Sequence, residues 1–376
     1  DKFGGKIVFT PGDIVYSSTK FLNSSPPNLD LEKLDLMMQN HKISFDDLMN
    51  TIKKIKKTSV HIVGDTIVDT YTRTNFIGGQ TKTPTFSVLY DKEDNFVGGA
   101  AIVALHMKAA GAKVVFTTMI SKDKNGKFVK NALRKNKIKC NFFIEAGRPT
   151  TNKNTFISTT YRLLKVDTLS NAPINEDTLS KILYKVKNEK TQITVFSDFR
   201  HGIFNPNSIK KLISAIPKKN FKAADSQVAS RWGNITEFKN FDLLTPNEKE
   251  ARFSLGDQDS TVSSLAGSIA KKSNYKNLIL KLGSRGIFCN GLRGKKMSPF
   301  GVGVFTDNVV DAVGSGDALL AYAALSLKVS NSLIIASILG SIAASCACEV
   351  EGNEPIKIET INNKIKEIQK KINYTH

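Results

Sequence analysis

The chain of 376 residues is 40% hydrophobic and carries a formal net charge of +20, a length that suits one large α/β domain plus an appendage. Its lysines occur as scattered pairs beside predicted helices, without a basic stripe interleaved with aromatic residues, so the charge does not indicate a nucleic-acid binder. No apolar run approaches the ~20 residues of a membrane helix, which argues against a helical membrane protein.

The N-terminal segment, residues 1–30, is predicted to be an arm separate from the main domain. Residues 7–20 have the pattern of a strand, a turn and a helix cap. They resemble the closing segment of a sugar-phosphate nucleotidyltransferase, which implies a piece of a longer protein with two activities; a plain arm is an equal alternative. Residues 31–58 are predicted as linker helices, one of them started by a capping box at Ser44.

The main domain is predicted to span residues 59–376. Short apolar runs alternate there with helical patterns, at residues 60–63, 114–119, 193–196, 221–224, 243–244 and 278–280. This alternation predicts an α/β fold with a mostly parallel sheet covered by helices on both faces. Residues 75–96 instead alternate polar and apolar side chains, with a turn at 91–95, and predict a small β lid of about residues 73–97.

The most informative stretch joins an apolar strand to an apolar helix at residues 310–320. Its turn contains Gly314 and Gly316, and Asp317 lies in the first turn of the helix. Glycines let backbone amides approach an anion, and a helix start attracts one. A carboxylate beside an anion site suggests a group that handles a proton, so the pattern favours phosphoryl transfer with Asp317 as base over an ordinary capped loop.

Residues 311–317 resemble the second signature of the ribokinase-like (PfkB) carbohydrate kinases, Asp-Thr-x-Gly-Ala-Gly-Asp, with Ala312 for Thr and Ser315 for Ala. The resemblance implies the ribokinase-like three-layer α/β/α fold, with ATP and Mg²⁺ as cofactors. It also implies that the amides of residues 313–316 hold the charge of the transferred phosphoryl group. Asp311 is then either structural or near a monovalent cation such as K⁺.

A second block predicts where the sugar binds. Asp69 follows the first strand closely, and ligands of such sheets gather at the carboxyl ends of strands. Asp65 suits the capping of a turn. Gly98 and Gly99 begin a small-residue helix that resembles the family's first signature, Gly-Gly-Ala-Ala-Asn-Val-Ala, which implies sugar contacts for Asp69 and both glycines. Ile102 stands where the family usually has a sugar-binding Asn.

Two further blocks resemble those of bacterial heptose-7-phosphate kinases. Residues 150–167 contain a Thr-x-x-Lys motif ending at Lys153 and a Leu-Leu-Lys-Val-Asp run, which implies that Lys153 lies near the sugar or its phosphate. Residues 197–202 resemble a Ser-Asp-Tyr-x-Lys-Gly block, in which Asp198 is expected to contact ligand.

The nucleotide side is predicted from two later strand ends. Asn247 and Glu250 are three residues apart at a helix start, which alone is a capping box; in the family such a pair organises Mg²⁺ near the phosphates, as its preference for oxygen ligands allows. Lys281, Gly283 and Gly286 belong to a turn that resembles the family's nucleotide-side loop. Glu250 and Asp311 are therefore the candidate metal ligands.

These resemblances imply an ATP-dependent kinase of a sugar or sugar phosphate, with a heptose 7-phosphate phosphorylated at O1 as first choice. The alternatives are a kinase of another sugar, of the fructose or ribose type, and a catalytically silent sugar-phosphate binder. Relatives pair through sheets like the lid, which implies a homodimer. The four cysteines form no Cys-x-x-Cys pair, and we expect reduced thiols in a cytoplasmic protein.

Overall fold

A computed structural model describes residues 29–79, 85–228, 232–292 and 298–375. Most of the predicted N-terminal arm, with its nucleotidyltransferase-like stretch, lies outside these residues. The strands are β1 (Ser59–Gly64), β2 (Thr66–Gly79), β3 (Phe86–Gly99), β4 (Lys113–Met119), β5 (Lys139–Phe143), β6 (Thr151–Ser158), β7 (Tyr161–Thr168), β8 (Ile193–Asp198), β9 (Phe221–Ser226), β10 (Leu243–Leu244), β11 (Asn277–Lys281), β12 (Ile287–Gly291) and β13 (Phe300–Val302).

Nine strands form the main sheet in the order β13-β12-β11-β10-β9-β8-β1-β4-β5. The seven strands from β11 to β5 in this order run parallel, and β12 and β13 add an antiparallel edge. The six apolar runs singled out in the sequence all lie within strands of this sheet. Most of their side chains are buried because helices cover both faces, as expected for a parallel sheet.

The helices are α1 (Leu29–Asn40), α2 (Phe45–Ile55), α3 (Ala100–Ala109), α4 (Lys124–Lys135), α5 (Glu176–Asn188), α6 (Pro206–Ala215), α7 (Glu248–Leu255), α8 (Val262–Ser273), α9 (Ser315–Ser330), α10 (Leu333–Cys348) and α11 (Ile358–Thr375). One hydrophobic cluster joins α1–α4 and α9–α11 to one face of the sheet, and a second joins α5–α8 to the other. The predicted three-layer α/β/α architecture is confirmed.

The predicted linker helices pack directly onto the main domain. Ser44 caps α2 in a capping box with Asp47, as the sequence predicts. Leu34 of α1 and Ile52 of α2 are buried in the same cluster as α9–α11. These helices therefore extend the core that lies beneath the first face of the sheet. No helix among the described residues has both the length and the apolar character required to cross a membrane.

The lid is a four-stranded sheet in the order β3-β2-β6-β7. The prediction found its first hairpin but placed a turn at residues 91–95, and this is wrong: they continue β3, where Glu93 and Asp94 pair with Thr72 and Tyr71 of β2. A β-bulge between Arg73 and Thr74 shifts the pairing of β2 with β3 beside these polar residues. The block at residues 150–167 supplies the other two strands.

Candidate active site

A cavity of about 660 Å³ lies between the lid and the edge of the main sheet where the parallel strands end. Ligands of open α/β sheets bind at this edge. The predicted site residues that line the cavity are Asp69, Gly99, Lys153, Asn247, Lys281, Gly283, Gly286, Gly314, Ser315, Gly316 and Asp317. A second cavity, of about 690 Å³, adjoins the first and shares Asn247, Lys281 and Gly283 with it.

The turn before α9 is shaped by its glycines. Gly314 has φ +80° and caps α9 in the left-handed conformation, which glycine adopts without steric cost. A Cβ built on Gly314 would overlap Asn353 Oδ1, and one on Gly316 would lie 3.1 Å from Lys281 Nζ. The glycines therefore let the turn lie close to both side chains.

The amides of this turn only partly match the prediction. The Val313 amide donates to Asp311 Oδ1 (3.2 Å) and the Ser315 amide donates to Ala312 O (3.3 Å). Within the described part of the chain, the Gly314 and Gly316 amides have no backbone or side-chain acceptor. The predicted four-amide cradle is thus reduced to two free donors at a helix start, where an anion is also favoured by the helix dipole.

Asp317 lies in the first turn of α9 and borders the cavity. Its Oδ1 is enclosed and has no hydrogen-bond partner among the described residues. Burial and the nearby Asp225 carboxylate raise the pKa of Asp317 to about 8, although Lys281 and Lys153 act in the opposite direction. A carboxylate with a raised pKa and a free oxygen in a cavity is suited to accept a proton near neutral pH.

Behind Asp317, Lys281 holds two buried carboxylates. Lys281 Nζ donates to Asp225 Oδ2 at 2.8 Å. Burial opposes the charge of Lys281, but Asp225 and Glu250 raise its pKa. Burial and Asp225 in turn raise the pKa of Glu250, while Lys281 lowers it. One lysine therefore faces three carboxylates, counting Asp317, which leaves the cluster short of positive charge.

Glu250 has a structural role whatever else it does. Asn247 caps α7: its side chain accepts from the Glu250 amide at 2.8 Å, and its own amide donates to Glu250 Oε2 at 2.6 Å. The side-chain amide of Asn247 also donates to Glu250 Oε1 at 2.5 Å. Both oxygens of Glu250 thus point back to the start of the helix, as in a capping box, and Asn247 is the member of the pair that reaches the cavity.

The lid contributes one carboxylate and two lysines. Asp69 on β2 and Lys153 on β6 are directly paired in the sheet, and Lys165 on β7 lines the same cavity. Burial raises the pKa of Asp69 to about 6, against the effects of Lys153, Lys165 and a hydrogen bond from Asn353. Burial and Lys165 lower the pKa of Lys153. Gly98 leaves room for Asp69, because a Cβ there would overlap Asp69 Oδ2.

Asp198 does not reach the cavity, contrary to its predicted contact with ligand. It is fully buried. Its Oδ2 accepts from Arg200 Nε (2.9 Å) and Ser226 Oγ (2.7 Å), and its Oδ1 accepts from the Arg200 amide (2.9 Å). Arg200 folds back because it follows Asp198 by only two residues and neutralises its charge. The interpretation of Asp65 as a cap is confirmed by its bonds from the amides of residues 199, 201 and 203.

Asp311 is not free to bind a metal. Its Oδ1 accepts from Arg162 (3.1 Å) and Val313, and its Oδ2 accepts from the Tyr71 hydroxyl (2.5 Å) and the Gly352 amide (3.3 Å). Although burial acts the other way, the hydrogen bonds from Tyr71, Val313 and Arg162 lower the pKa of Asp311. Its structural role, the other alternative from the sequence, fits these contacts, since guanidinium–carboxylate bonds are strong.

Three residues, namely Asp225, Lys165 and Asn353, were not assigned to the site from the sequence. Asp225 lies one residue before the end of β9, close to the carboxyl edge that Asp198 occupies at the end of β8, and that position was the available signal. Lys165 lies in the block quoted for Lys153, but an isolated lysine is usually solvated. Asn353 lies in a turn without any pattern, and only the fold brings it to Asp69 and Gly314.

The model of the pfkB family carbohydrate kinases matches residues 57–360. The proteins named Bifunctional protein HldE from Campylobacter jejuni (strain RM1221) and Sulfurimonas denitrificans are 28% and 24% identical, over 84% of this chain in both cases and 67% and 66% of their own length. The chain therefore spans about two thirds of these relatives.

Two solved structures share the fold. Escherichia coli phosphofructokinase-2 in complex with potassium has a TM-score of 0.69 and 18% identity, over 83% of this chain and 99% of its own. Arabidopsis thaliana ribokinase complexed with ribose and ATP has a TM-score of 0.64 and 19% identity, over 82% and 99%. Since the family match includes every strand of both sheets, and a carboxylate and free amides border the cavity between them, this chain belongs to the pfkB family of carbohydrate kinases and is a phosphotransferase.

Proposed function

We propose that this sugar kinase transfers the γ-phosphoryl group of ATP to a hydroxyl of a phosphorylated sugar, with O1 of a heptose 7-phosphate as the preferred acceptor. The observation that carries the proposal is the unpartnered Oδ1 of Asp317, which lies beside the free amides of Gly314 and Gly316 in the cavity. A base and anion-binding donors are thus adjacent, as phosphoryl transfer to an alcohol requires.

In this reaction Asp317 accepts the hydroxyl proton as the sugar oxygen attacks the γ-phosphorus. The new O–P bond forms while the bond from phosphorus to the β–γ bridging oxygen breaks, and ADP leaves with that electron pair. The Gly314 and Gly316 amides donate to the phosphoryl oxygens. Lys281, close to Gly316, adds positive charge on the same side.

The donor groups of the cavity suit a magnesium ion carried by the phosphates. No group of three or more His, Cys, Asp or Glu side chains is gathered as a metal site within residues 29–79, 85–228, 232–292 and 298–375. Mg²⁺ commonly keeps several waters and uses one or two carboxylates plus substrate phosphates. Asp317 Oδ1, which borders the cavity, and Asp225 Oδ1, which lies behind it, have no hydrogen-bond partners among the described residues and could accept from its waters. When bound, Mg²⁺ would neutralise charge on the phosphates.

The lid supports a phosphorylated rather than a free sugar. Lys153 is almost fully buried, with its Nζ 5.7 Å from the centre of the Phe199 ring, and Lys165 lies near it. Two neighbouring ammonium groups repel each other, and of the two lid carboxylates near Lys153, Asp69 and Asp167, only Asp69 lines the cavity. A phosphate on the substrate would restore the balance, and lysine is a common phosphate ligand.

The heptose assignment follows the resemblance of residues 150–167 and 197–202 to heptose-7-phosphate kinases, now that the first of these blocks forms the lid strands of the cavity. The relatives in Campylobacter and Sulfurimonas are named as bifunctional proteins. A second activity in a longer parent protein, related to the nucleotidyltransferase-like residues 7–20, stays a prediction.

Ile102 favours a second candidate, a kinase of another sugar. It is fully buried in α3 and can neither donate nor accept a hydrogen bond. The hydroxyl that an Asn would bind in relatives therefore has no partner from this position. A sugar with a different hydroxyl pattern, of the fructose or ribose type, would not need that contact.

An ADP-release assay across free and phosphorylated sugars tests these options. A heptose 7-phosphate should give the highest kcat/KM and a new phosphorus NMR signal from an anomeric phosphate. Faster turnover of another sugar would replace the heptose assignment with the second candidate. ADP release no faster than that of Asp317→Asn for every sugar would contradict the kinase reaction and leave a silent sugar-phosphate binder.

We also propose that two copies pair through their lids. The lid exposes large apolar side chains at its hairpin and on its edge strand β7, namely Phe76, Ile77, Phe86, Leu89, Tyr90, Tyr161, Leu164 and Val166. Burying such surface favours association. Light scattering should give a dimer mass that falls to the monomer mass in the double variant Leu164→Lys/Val166→Lys, but not in the control Tyr184→Lys. A wild-type monomer would contradict the pairing.

A further inference from the structure

A short segment after α10, residues 351–353, connects the lid to the catalytic turn. Glu351 forms an ion pair with Arg73 of β2 (2.8 Å). Gly352 lies so close to the Phe96 ring that a Cβ would overlap it. The Asn353 side-chain amide donates to Asp69 Oδ2 at 2.8 Å. Three successive residues thus contact β2 and β3 of the lid.

Asn353 also contacts the other wall of the cavity. Its side chain is 7% exposed, and its Oδ1 is enclosed without a hydrogen-bond partner in the described part of the chain. That oxygen lies against the Cα of Gly314, where a Cβ would overlap it. One planar amide group therefore touches the carboxylate expected to bind the sugar and the turn expected to bind the phosphoryl group.

We propose that Asn353 is a positioning residue that orients the Asp69 carboxylate and sets its distance from the Gly314 turn. This inference rests on the proposed function, because it assigns to Asp69 the task of binding the sugar. The donor at Oδ2 leaves Oδ1 of Asp69 free to accept from a sugar hydroxyl. The contact with Gly314 keeps that hydroxyl aligned with the phosphoryl group, and small errors in alignment are costly in rate.

The same hydrogen bond helps to keep Asp69 ionised. Burial raises the pKa of Asp69, and Lys153, Lys165 and Asn353 oppose the rise. Three other groups face it with negative or potentially negative charge, namely Asp167, Asp317 and the Tyr71 hydroxyl. Removal of the Asn353 donor would shift this balance toward the protonated acid, which accepts hydrogen bonds less well.

The first test compares two substitutions of similar shape. Asn353→Leu removes the donor, and Asn353→Asp replaces it with a second carboxylate. For Asn353→Leu we expect kcat/KM for the sugar to fall about tenfold, which corresponds to one hydrogen bond to a charged group. The KM for ATP should stay unchanged, and the acidic limb of the sugar kcat/KM profile should move to higher pH. Asn353→Asp should move that limb further. Asn188→Leu, an exposed control, should change neither kcat/KM for the sugar nor the position of the limb.

The second test uses Gly314→Ala in two backgrounds. In the wild type the new methyl group would meet Asn353 Oδ1, whereas the Cβ of residue 353 would lie 3.9 Å from it. Gly314→Ala should therefore reduce kcat several-fold more in the wild type than in Asn353→Ala. Equal losses in the two backgrounds would show that Asn353 does not set the position of the turn.

A titration of the Asp69 carboxyl carbon by NMR separates this inference from the proposed function, because it requires no turnover. The pKa of Asp69 should rise in Asn353→Leu and rise more in Asn353→Asp. An unchanged pKa together with an unchanged sugar KM would overturn the positioning role even in an active kinase. If no sugar is turned over in the activity screen but the pKa of Asp69 still shifts, the kinase reaction and the sugar-binding role of Asp69 would be disproved. The contact between Asn353 and Asp69 would still be supported.

Discussion

The body and the lid present opposite charges to one cavity. The body contributes Asp317, which lines the cavity, and behind it Asp225 and Glu250, with which Asp317 shares Lys281. The lid contributes Lys153 and Lys165, with Asp69 as its acid on the cavity side. A proton acceptor needs a site poor in positive charge, since cations lower the pKa of an acid. An anionic substrate needs the reverse. The contrast therefore assigns proton transfer to the body and recognition of the sugar phosphate to the lid.

The two regions also differ in how they are stabilised. The main sheet is covered by helices on both faces, whereas every residue of β7 is exposed in the single chain. Because it is packed on both faces, the body can hold buried charged side chains in fixed positions even though their desolvation costs free energy. The lid joins the body through the buried side chains of Val68 and Val97 and through polar contacts, among them Tyr71 and Arg162 on Asp311 and Arg73 on Glu351.

The largest expected effect separates the chemistry of the body from binding. Asp317→Asn should lower kcat about 10²–10⁴-fold, the usual worth of a general base, and should leave the dissociation constant of ATP nearly unchanged. Initial rates and calorimetric titration with ATP measure the two quantities. Asp307→Asn is the matched control, because Asp307 is exposed near the same turn. Wild-type turnover in Asp317→Asn would disprove the base assignment.

The second prediction concerns the lid alone. Lys153→Met should raise the KM for a phosphorylated sugar about 10–100-fold, as loss of one charge-assisted hydrogen bond predicts. The KM for the same sugar without its phosphate, and the KM for ATP, should change little. Lys113→Met removes the same charge at the start of β4, away from the cavity. Equal increases for both forms of the sugar would contradict phosphate recognition by the lid.

Some features of the fold and of the site could be predicted from the sequence, and others could not. Six of the nine strands of the main sheet were readable because burial makes them largely continuous apolar runs, whereas β5, β12 and β13, at the edges of the sheet, were not predicted. Gly314, Gly316 and Asp317 were readable because a tight turn at a helix start restricts residue type. The predicted ligand contact of Asp198 was wrong because Asp198 forms an ion pair with Arg200, and the sequence alone does not show which charged side chains pair. Asn353 and Asp69 are 284 positions apart, and their contact exists only after folding.

The turn wrongly predicted at residues 91–95 has a similar cause. Its polar residues suggest a turn by composition, yet these lie on a lid strand, where polar side chains are exposed or hydrogen-bonded across the sheet. Thr70 donates to Asn95 at 2.6 Å, and Arg73 donates to Asp94 at 2.8 Å. Cross-strand partners override local composition in such strands.

A third prediction follows from the free-energy cost of ionising Asp317, which is buried in the body. The pKa of Asp317 in the folded chain is raised to about 8, so the folded state gains stability from its proton at low pH. That gain is fully present below about pH 4 and is lost as the pH rises to about 8. Asp317→Asn escapes the loss, so its free energy of unfolding relative to the wild type should rise by about 1–3 kcal/mol from pH 5 to pH 8 and then level off, as thermal melts across this pH range would measure. Asp91→Asn, exposed on the lid, is the control; an advantage that shrinks with rising pH would contradict the raised pKa.

The smallest expected effect concerns the point where lid and body meet. Arg162 on β7 already places a guanidinium 3.1 Å from Asp311, beside the Tyr71 ring, and the Asp311 oxygens have no vacant direction toward a metal ion. Exchange of K⁺ for tetramethylammonium in the assay should therefore change kcat by no more than about twofold. Arg162→Met leaves a buried carboxylate without its cation, an expensive state, so this variant should be stimulated by K⁺. A wild-type enzyme that requires K⁺ would show that a monovalent ion binds elsewhere near the turn, through groups other than the Asp311 side chain.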